Sequence, residues 1–276
     1  MNSQRIQTAK KIIRQNFCFY AAGLLLILGM KYFYSNAESD HLIWILAPIA
    51  KWVELLSGIA FEYAPGAGYA NHSLRLLIAP TCSGVQFMII TFTLFLFSFV
   101  HRITPSAHTS HANSIFLRYV KGFCWLIISM ILSYLLTIFV NGLRIITAIY
   151  LPALLGEEIY RGFLTPDRLH TMIGIVVYFT ALLAIYRVTD FFFSKSKYSG
   201  NGRKSNAYLP QLVRRCLPPV FWYFAIALGV PFVNNAYSKN TEKFTELTIL
   251  IICCCLVILM LYGLLFAVRK LFRKLQ

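Results

Sequence analysis

Acidic side chains are scarce in this chain: 10 Asp and Glu stand against 26 Lys and Arg in 276 residues, and charged residues of both signs make up only 13%. A soluble globular domain carries about 25%, so that class is excluded. The paired cysteines of zinc and redox sites are missing as well. Among 7 cysteines there is no C-x-x-C pair, which removes the zinc knuckle and the thioredoxin-type motif. Cys18, Cys124 and the Cys253-Cys254-Cys255 run lie within apolar stretches and Cys216 at the edge of one, so no disulfide framework is indicated. No internal repeat is evident. What the chain has in abundance is hydrophobic residues, 58% of the total, in runs of membrane-spanning length. It reads as an all-α polytopic integral membrane protein.

The formal charge of +16 invites a nucleic-acid reading, because basic patches attract phosphate. The basic residues instead cluster in short segments beside apolar runs, where orientation signals and contact with anionic lipid explain them better. No nucleic-acid partner is expected, and the bilayer is.

Along the chain, residues 1–16 are polar and basic, and Phe17 to about Tyr34 is long enough to approach the roughly 20 residues of a span. Ser35-Asn36-Ala37 is a weak cleavage pattern of the signal-peptide kind. The length and aromatic content of the run favour an uncleaved anchor. Four further spans are expected at about 84–101, 122–140, 171–193 and 217–233, and a sixth at about 247–268. Leu42 to Phe61 is apolar but holds Pro48, Lys51 and Glu54, and charge at a bilayer centre costs about 3 kcal/mol per residue on insertion scales. This stretch is predicted to be an amphipathic helix at the outer interface, with Lys51 and Glu54 placed to pair on one face. A Gly/Pro loop follows at Pro65-Gly66-Ala67-Gly68. The run Ile145–Leu155, too brief to cross and containing Pro152, is expected to dip into or lie on the same face, giving one or two interfacial or re-entrant helices in all. Residues 194–210 read as a polar, basic cytoplasmic linker that divides a core, 1–193, from a C-terminal helix pair, 211–276, of unassigned role.

With six crossings and the N-terminus inside, the inner segments hold 17 of the 26 basic residues, as the positive-inside rule requires. Nine of the 10 acidic residues fall outside, Asp190 being the exception. Both termini are therefore expected to be cytoplasmic.

That topology gathers chemistry at the outer face. Pro80-Thr81-Cys82-Ser83-Gly84 sits directly on the second span, with Ser83 and Gly84 as cap residues. A thiol at a helix N-terminus sees the positive end of the macrodipole, and a nearby arginine adds to it; both favour the reactive thiolate. Asn141-Gly142-Leu143-Arg144 closes the third span, and Asn141, three residues before Arg144, shares its helix face. His170 opens the fourth, with Gly174 one turn along and then Tyr178. Singly, each has an ordinary structural explanation: a buried thiol, a snorkelling arginine, a solvated histidine. Together on one face they supply what thiol acyl transfer needs: nucleophile, electrostatic stabiliser and proton carrier.

Thr-Cys-Ser-Gly at the outer start of a span, Asn-x-x-Arg after the next and His-x-x-x-Gly at the head of a third, in that order, resemble the exosortase/archaeosortase family over roughly residues 17–193. Thr81 stands where family members commonly carry alanine. The resemblance implies a membrane cysteine transpeptidase of the bacterial cell envelope, a hydrolase in its peptide-cleaving step. It would recognise exported proteins by a C-terminal sorting tail (short motif, transmembrane helix, basic cluster), cut before the helix and transfer the protein to a surface acceptor, a polysaccharide or a lipid. By the same resemblance Cys82 is the nucleophile, Arg144 the transition-state stabiliser and His170 the acid/base, with Ser83, Gly84 and Asn141 in support. No metal or organic cofactor is implied. The expected location is the inner membrane, multi-pass, with the site on the periplasmic side.

Three other readings compete. Glu157-Glu158-Ile159-Tyr160-Arg161 is similar to the Glu-Glu-x-x-x-Arg motif of the membrane proteases related to the CAAX-processing type, but the arginine comes one residue early, a rotation of about 100° on a helix. Pro166 and Asp167 soon after suggest a loop. His101, His108 and His111 lie in a Ser/Thr/Asn-rich loop without acidic or cysteine partners, so a solvated loop is favoured over a metal site. A non-enzymatic carrier or assembly partner of an envelope or exopolysaccharide pathway would place ionisable residues deep inside spans, and these spans are nearly free of them.

Overall fold

The computed structural model describes residues 2–104, 112–156, 160, 164–195 and 208–275. Among the described residues six helices are long and apolar enough to cross a membrane, within Lys10–Asn36, Pro80–Ile103, Ile115–Leu155, Pro166–Ser194, Arg215–Val233 and Thr241–Val268. These are the six runs expected from hydropathy. The elements are α1 (Asn2–Asn36), α2 (Ile43–Ser57), strands β1 (Glu62–Ala64), β2 (Gly68–Asn71) and β3 (Leu76–Ile78), then α3 (Val85–Ile103), α4 (Ala112–Leu155), α5 (Pro166–Lys195), α6 (Tyr208–Phe224), α7 (Val230–Val233), α8 (Ala236–Lys239) and α9 (Thr241–Leu275). A π turn, Ala225–Gly229, joins α6 to α7. The chain forms two compact units, residues 1–50 with 60–139, and residues 51–59 with 140–276.

In the first unit, α1 packs on α3 around Phe19, Phe92, Leu96, Val100 and Leu126, with Tyr20, Phe97 and Trp125 at the margin. The most apolar window of α3 is 83% buried and that of α1 only 11%. A helix apolar on every side is stable when other helices surround it, which is the condition of α3. Close approach in this unit depends on missing side chains. A Cβ on Gly122 of α4 would run into the Phe19 ring, and one on Gly23 of α1 into Leu96. Overpacking of this kind costs about 1–3 kcal/mol, so Gly122→Ala is expected to lower the midpoint of thermal unfolding in detergent.

α2 has the expected amphipathic face. Leu42, Ile45, Leu46, Ile49, Ala50 and Val53 are buried, while Trp44, Leu55 and Leu56 are exposed. The ion pair expected between Lys51 and Glu54 is not formed; no such bridge occurs among the described residues. The segment after α2 sets the expected loop within strands: it is a three-stranded antiparallel meander, ordered β1-β2-β3, with Tyr63 opposite Tyr69 and Ala70 opposite Leu77. Pro65–Ala67 is its first turn. Gly66 (φ 74°) and Gly68 (φ 122°) take up left-handed backbone that glycine adopts without strain, and a Cβ on Gly68 would strike the Ile78 carbonyl.

Asp40 ties the first turn down. Its Oδ1 accepts the Tyr63 hydroxyl at 2.6 Å and the Gly66 N–H at 2.9 Å. The Tyr63 bond, then the Gly66 bond, hold the Asp40 carboxyl below its ordinary range, and the Asp40 bond pushes the Tyr63 hydroxyl up to about 12. A depressed acid stabilises the fold above its unfolded value and loses that contribution as pH falls; a raised phenol stabilises below 10 and loses it as pH climbs towards about 12. Backbone hydrogen exchange of residues 62–70, corrected for intrinsic rate, is therefore expected to quicken at both pH extremes, and to quicken at neutral pH in Asp40→Asn.

Two further expectations are corrected at the ends of α4 and α5. Ile145–Leu155 is not a separate element but the last part of α4, whose 44 residues extend about 66 Å. Pro152 lies in the last turn, where one missing N–H removes a single intrahelical bond. The helix stops instead at Gly156, whose φ of 74° and N–H donation to the Pro152 carbonyl at 3.2 Å form a left-handed C-terminal cap. Pro166 and Asp167 are not loop; they open α5. Proline suits the first helical position, where its N–H would go unused, and aspartate suits the first turn by charge.

In the second unit α5 packs against α6 and α9. Arg168 bonds Glu246 at 2.5 Å, Arg187 donates to the Tyr262 hydroxyl, and Phe179 meets Tyr223 with ring centroids 5.1 Å apart. Glu157, Glu158, Arg161, His108, His111 and most of the 194–210 linker lie outside the described residues.

Candidate functional site

The predicted site residues form two groups, one in each unit. In the first, β3 leads through the extended Ala79 into a single 3-10 turn, Pro80–Cys82, closed by Cys82 N–H to the Ala79 carbonyl at 2.8 Å and Ser83 N–H to the Pro80 carbonyl at 3.0 Å. Gly84 is the N-cap of α3, with φ 70° and its carbonyl accepting Met88 N–H at 3.1 Å. The thiol thus directly precedes a membrane-length helix, half-buried and not in a disulfide. Ser83 is not the side-chain cap that its type suggested. No side chain caps α3, and the Ser83 hydroxyl is buried without a hydrogen-bond partner. The left-handed turn at Gly84 does the capping with backbone alone.

The second group is built by α4 and α5. Asn141 and Arg144 project from one face of α4, three residues apart, and both are buried, Asn141 fully and Arg144 at 8% exposure. Arg144 Nη2 lies 2.7 Å from His170 Nε2, and Nη1 donates to Asn141 Oδ1 at 3.4 Å. His170, Gly174 and Tyr178 follow one another at single-turn spacing on α5, and all three face this one arginine. A Cβ on Gly174 would stand 3.1 Å from Arg144 Nε. The Tyr178 ring has Arg144 Cζ 5.6 Å from its centroid, and its hydroxyl donates to Asn141 Oδ1 at 2.6 Å. On the other side, Gly142 leaves room for the Trp52 indole.

The electrostatics are unusual. Arginine is always charged and only donates, and a buried charge ordinarily has a carboxylate beside it. Among the described residues Arg144 has none, and its Nε–H has no partner at all. Its neighbours are a neutral amide, an aromatic face and an imidazole. Because Arg144 supplies the hydrogen, His170 Nε2 must be the acceptor in their bond, which places the imidazole proton on Nδ1. No acid among the described residues therefore offsets the guanidinium, and it sits buried in a low-dielectric setting where attraction for an incoming anion or oxyanion is strongest.

Asn141 and Arg144 share one face of α4, as their spacing of three predicts, and His170 reaches the same guanidinium from α5. Tyr178 received no role from its residue type; its signal in the sequence was position, two turns beyond His170 on one helical face. No protein-family model matches this chain, and neither a curated protein nor a solved structure does.

Proposed function

We propose that the chain is a membrane-embedded cysteine protease/transpeptidase of the exosortase type, set in the inner membrane with both termini cytoplasmic and its chemistry on the extracytoplasmic side. Its substrates are exported proteins ending in a short motif, a transmembrane helix and a basic cluster; the acceptor is a surface polysaccharide or lipid. The observation that supports this reading is Arg144, a buried guanidinium with no carboxylate among the described residues, bonded to His170 at 2.7 Å. Such a charge costs stability unless an anionic partner arrives, which is what a tetrahedral intermediate provides.

The reaction follows from the donor inventory. At rest Arg144 occupies His170 Nε2. A scissile carbonyl, as negative charge grows on its oxygen, becomes the better acceptor for Arg144, and Nε2 is released. That nitrogen takes the Cys82 thiol proton while sulfur bonds the carbonyl carbon. Collapse of the intermediate breaks the C–N bond, and the imidazolium protonates the departing amine, which leaves with the tail helix. An acceptor amine, or water, then attacks the thioester and gives its proton to His170, which returns it to sulfur.

Co-expression with a tail-bearing substrate tests the proposal. Wild-type protein is expected to process the tail and to carry the substrate as an acyl adduct on Cys82, detected by mass spectrometry, while Cys82→Ala, Arg144→Ala and His170→Ala do not process it. Wild-type processing by Cys82→Ala removes the mechanism, and loss of processing in Glu157→Gln alone favours the di-glutamate protease.

Masking of Nε2 has its own consequence. Carbethoxylation needs an unprotonated ring nitrogen, so His170 is expected to react about fivefold faster in Arg144→Ala than in wild type, the effect of losing one ordinary hydrogen bond. The exposed His41 and His72 serve as references, and an unchanged His170 rate contradicts the masking.

A further inference from the structure

We infer that Tyr178 is the positioning residue that aims Arg144, and that it acts through two separate contacts; the activity arm of the test rests on the transpeptidase reading above. Arginine has a long, rotatable stem, and among the described residues this one has no carboxylate to orient it. Within that set orientation comes from neutral groups, and two of the three run through Tyr178. The ring lies against the guanidinium, with Cζ 5.6 Å from its centroid, within the range of a cation–π contact. The hydroxyl donates to Asn141 Oδ1 at 2.6 Å, the same oxygen that accepts Arg144 Nη1.

The second contact has a consequence that residue types alone do not reveal. An asparagine amide can present either its oxygen or its NH2 towards a neighbour. A tyrosine hydroxyl donating to Oδ1 holds the acceptor end towards Arg144. Without that hydroxyl the Asn141 acceptor end, which also receives Arg144 Nη1, loses one of its donors. Phenylalanine at 178 would keep the ring and lose this donation; leucine would lose both. Gly174, between His170 and Tyr178 on the same face of α5, contributes by absence, since its bare α-carbon is what lets the arginine lie against the helix. The third neutral partner, His170, must release Arg144 during the reaction proposed above, so Tyr178 and Asn141 are the supports that persist through it.

The test uses full-length protein in detergent and phenylglyoxal, which modifies exposed arginine, with mass-spectrometric counting of the Arg144 adduct against that of the exposed Arg75. Tyr178→Phe is expected to raise the Arg144 rate about fivefold, the effect of one hydrogen bond, and Tyr178→Leu to raise it further, with Arg75 unchanged. In the processing assay Tyr178→Phe should lower kcat by a similar factor at unaltered KM, and Tyr178→Leu by about 100-fold, the usual result of misplacing a group by 1 Å. An Arg144 rate equal to wild type in Tyr178→Leu overturns the inference. If wild-type protein processes no tail, the transpeptidase reading fails while the modification rates still decide the role of Tyr178.

Discussion

Arg144→Met is expected to lose tail processing by about 100- to 1,000-fold, the range seen when a single oxyanion donor is removed, and yet to leave the protein as stable as wild type or more so. The two halves of this result have one cause. Arg144 is 8% exposed and lacks a carboxylate among the described residues, so the folded protein bears a desolvation penalty that methionine, of similar stem, relieves. Its removal orphans little: Asn141 Oδ1 keeps the Tyr178 hydroxyl, and His170 is exposed to water. Activity falling while the unfolding midpoint holds or rises marks a residue kept for chemistry. An arginine kept for architecture gives the opposite, a marked drop in midpoint with processing intact, and that outcome would sink the assignment. Arg144→Lys should be nearly as inactive as Met, because an ammonium keeps the charge but not the fork that reaches Asn141 and His170 together.

The second large effect needs only one carbon atom. Gly174→Ala is expected to reduce processing several-fold, because the guanidinium must give way by a few tenths of an ångström where about 1 Å costs about 100-fold, without unfolding the protein. The new Cβ would stand 3.1 Å from Arg144 Nε and 3.8 Å from Cδ and Cζ, so the guanidinium must shift away from α5. The helix itself gains from the change, since alanine is the better helix former by about 1 kcal/mol. Tail processing and thermal midpoint, measured on the same preparation, separate the two contributions. Equal processing by Gly174→Ala would mean that the arginine does not act from the position described here.

Much of this architecture was legible before any coordinates. Six apolar runs became six long helices because in a bilayer every backbone N–H and C=O must be satisfied within its own segment. Asn141, Arg144, His170 and Tyr178 could be placed on helix faces by counting, since spacings of three and four residues put side chains on one side. Pro152 and Pro166 suggest by residue type a re-entrant run and a loop, whereas they lie in the last turn of α4 and the first turn of α5. Helix-terminal proline is a matter of one bond, and neither residue type reveals whether its turn is the last or the first.

The strands were not legible. β1, β2 and β3 have three or four residues each, too few for alternation to register, and their pairing is a relation between segments. Ser83 shows the same limit at one residue: its type suits a cap, but the left-handed Gly84 next to it closes the turn and leaves the hydroxyl buried.

By itself, then, the amino-acid order determined how many membrane-length helices form and which faces carry Asn141, Arg144 and His170, because hydrophobic length and helical period are properties of a single segment. Only the tertiary structure decided that Arg144 is buried with no carboxylate beside it among the described residues, that Gly174 makes room for it and that the Tyr178 hydroxyl bonds its amide partner. Those outcomes depend on which surfaces α4 and α5 present to each other, and no count along either helix contains that.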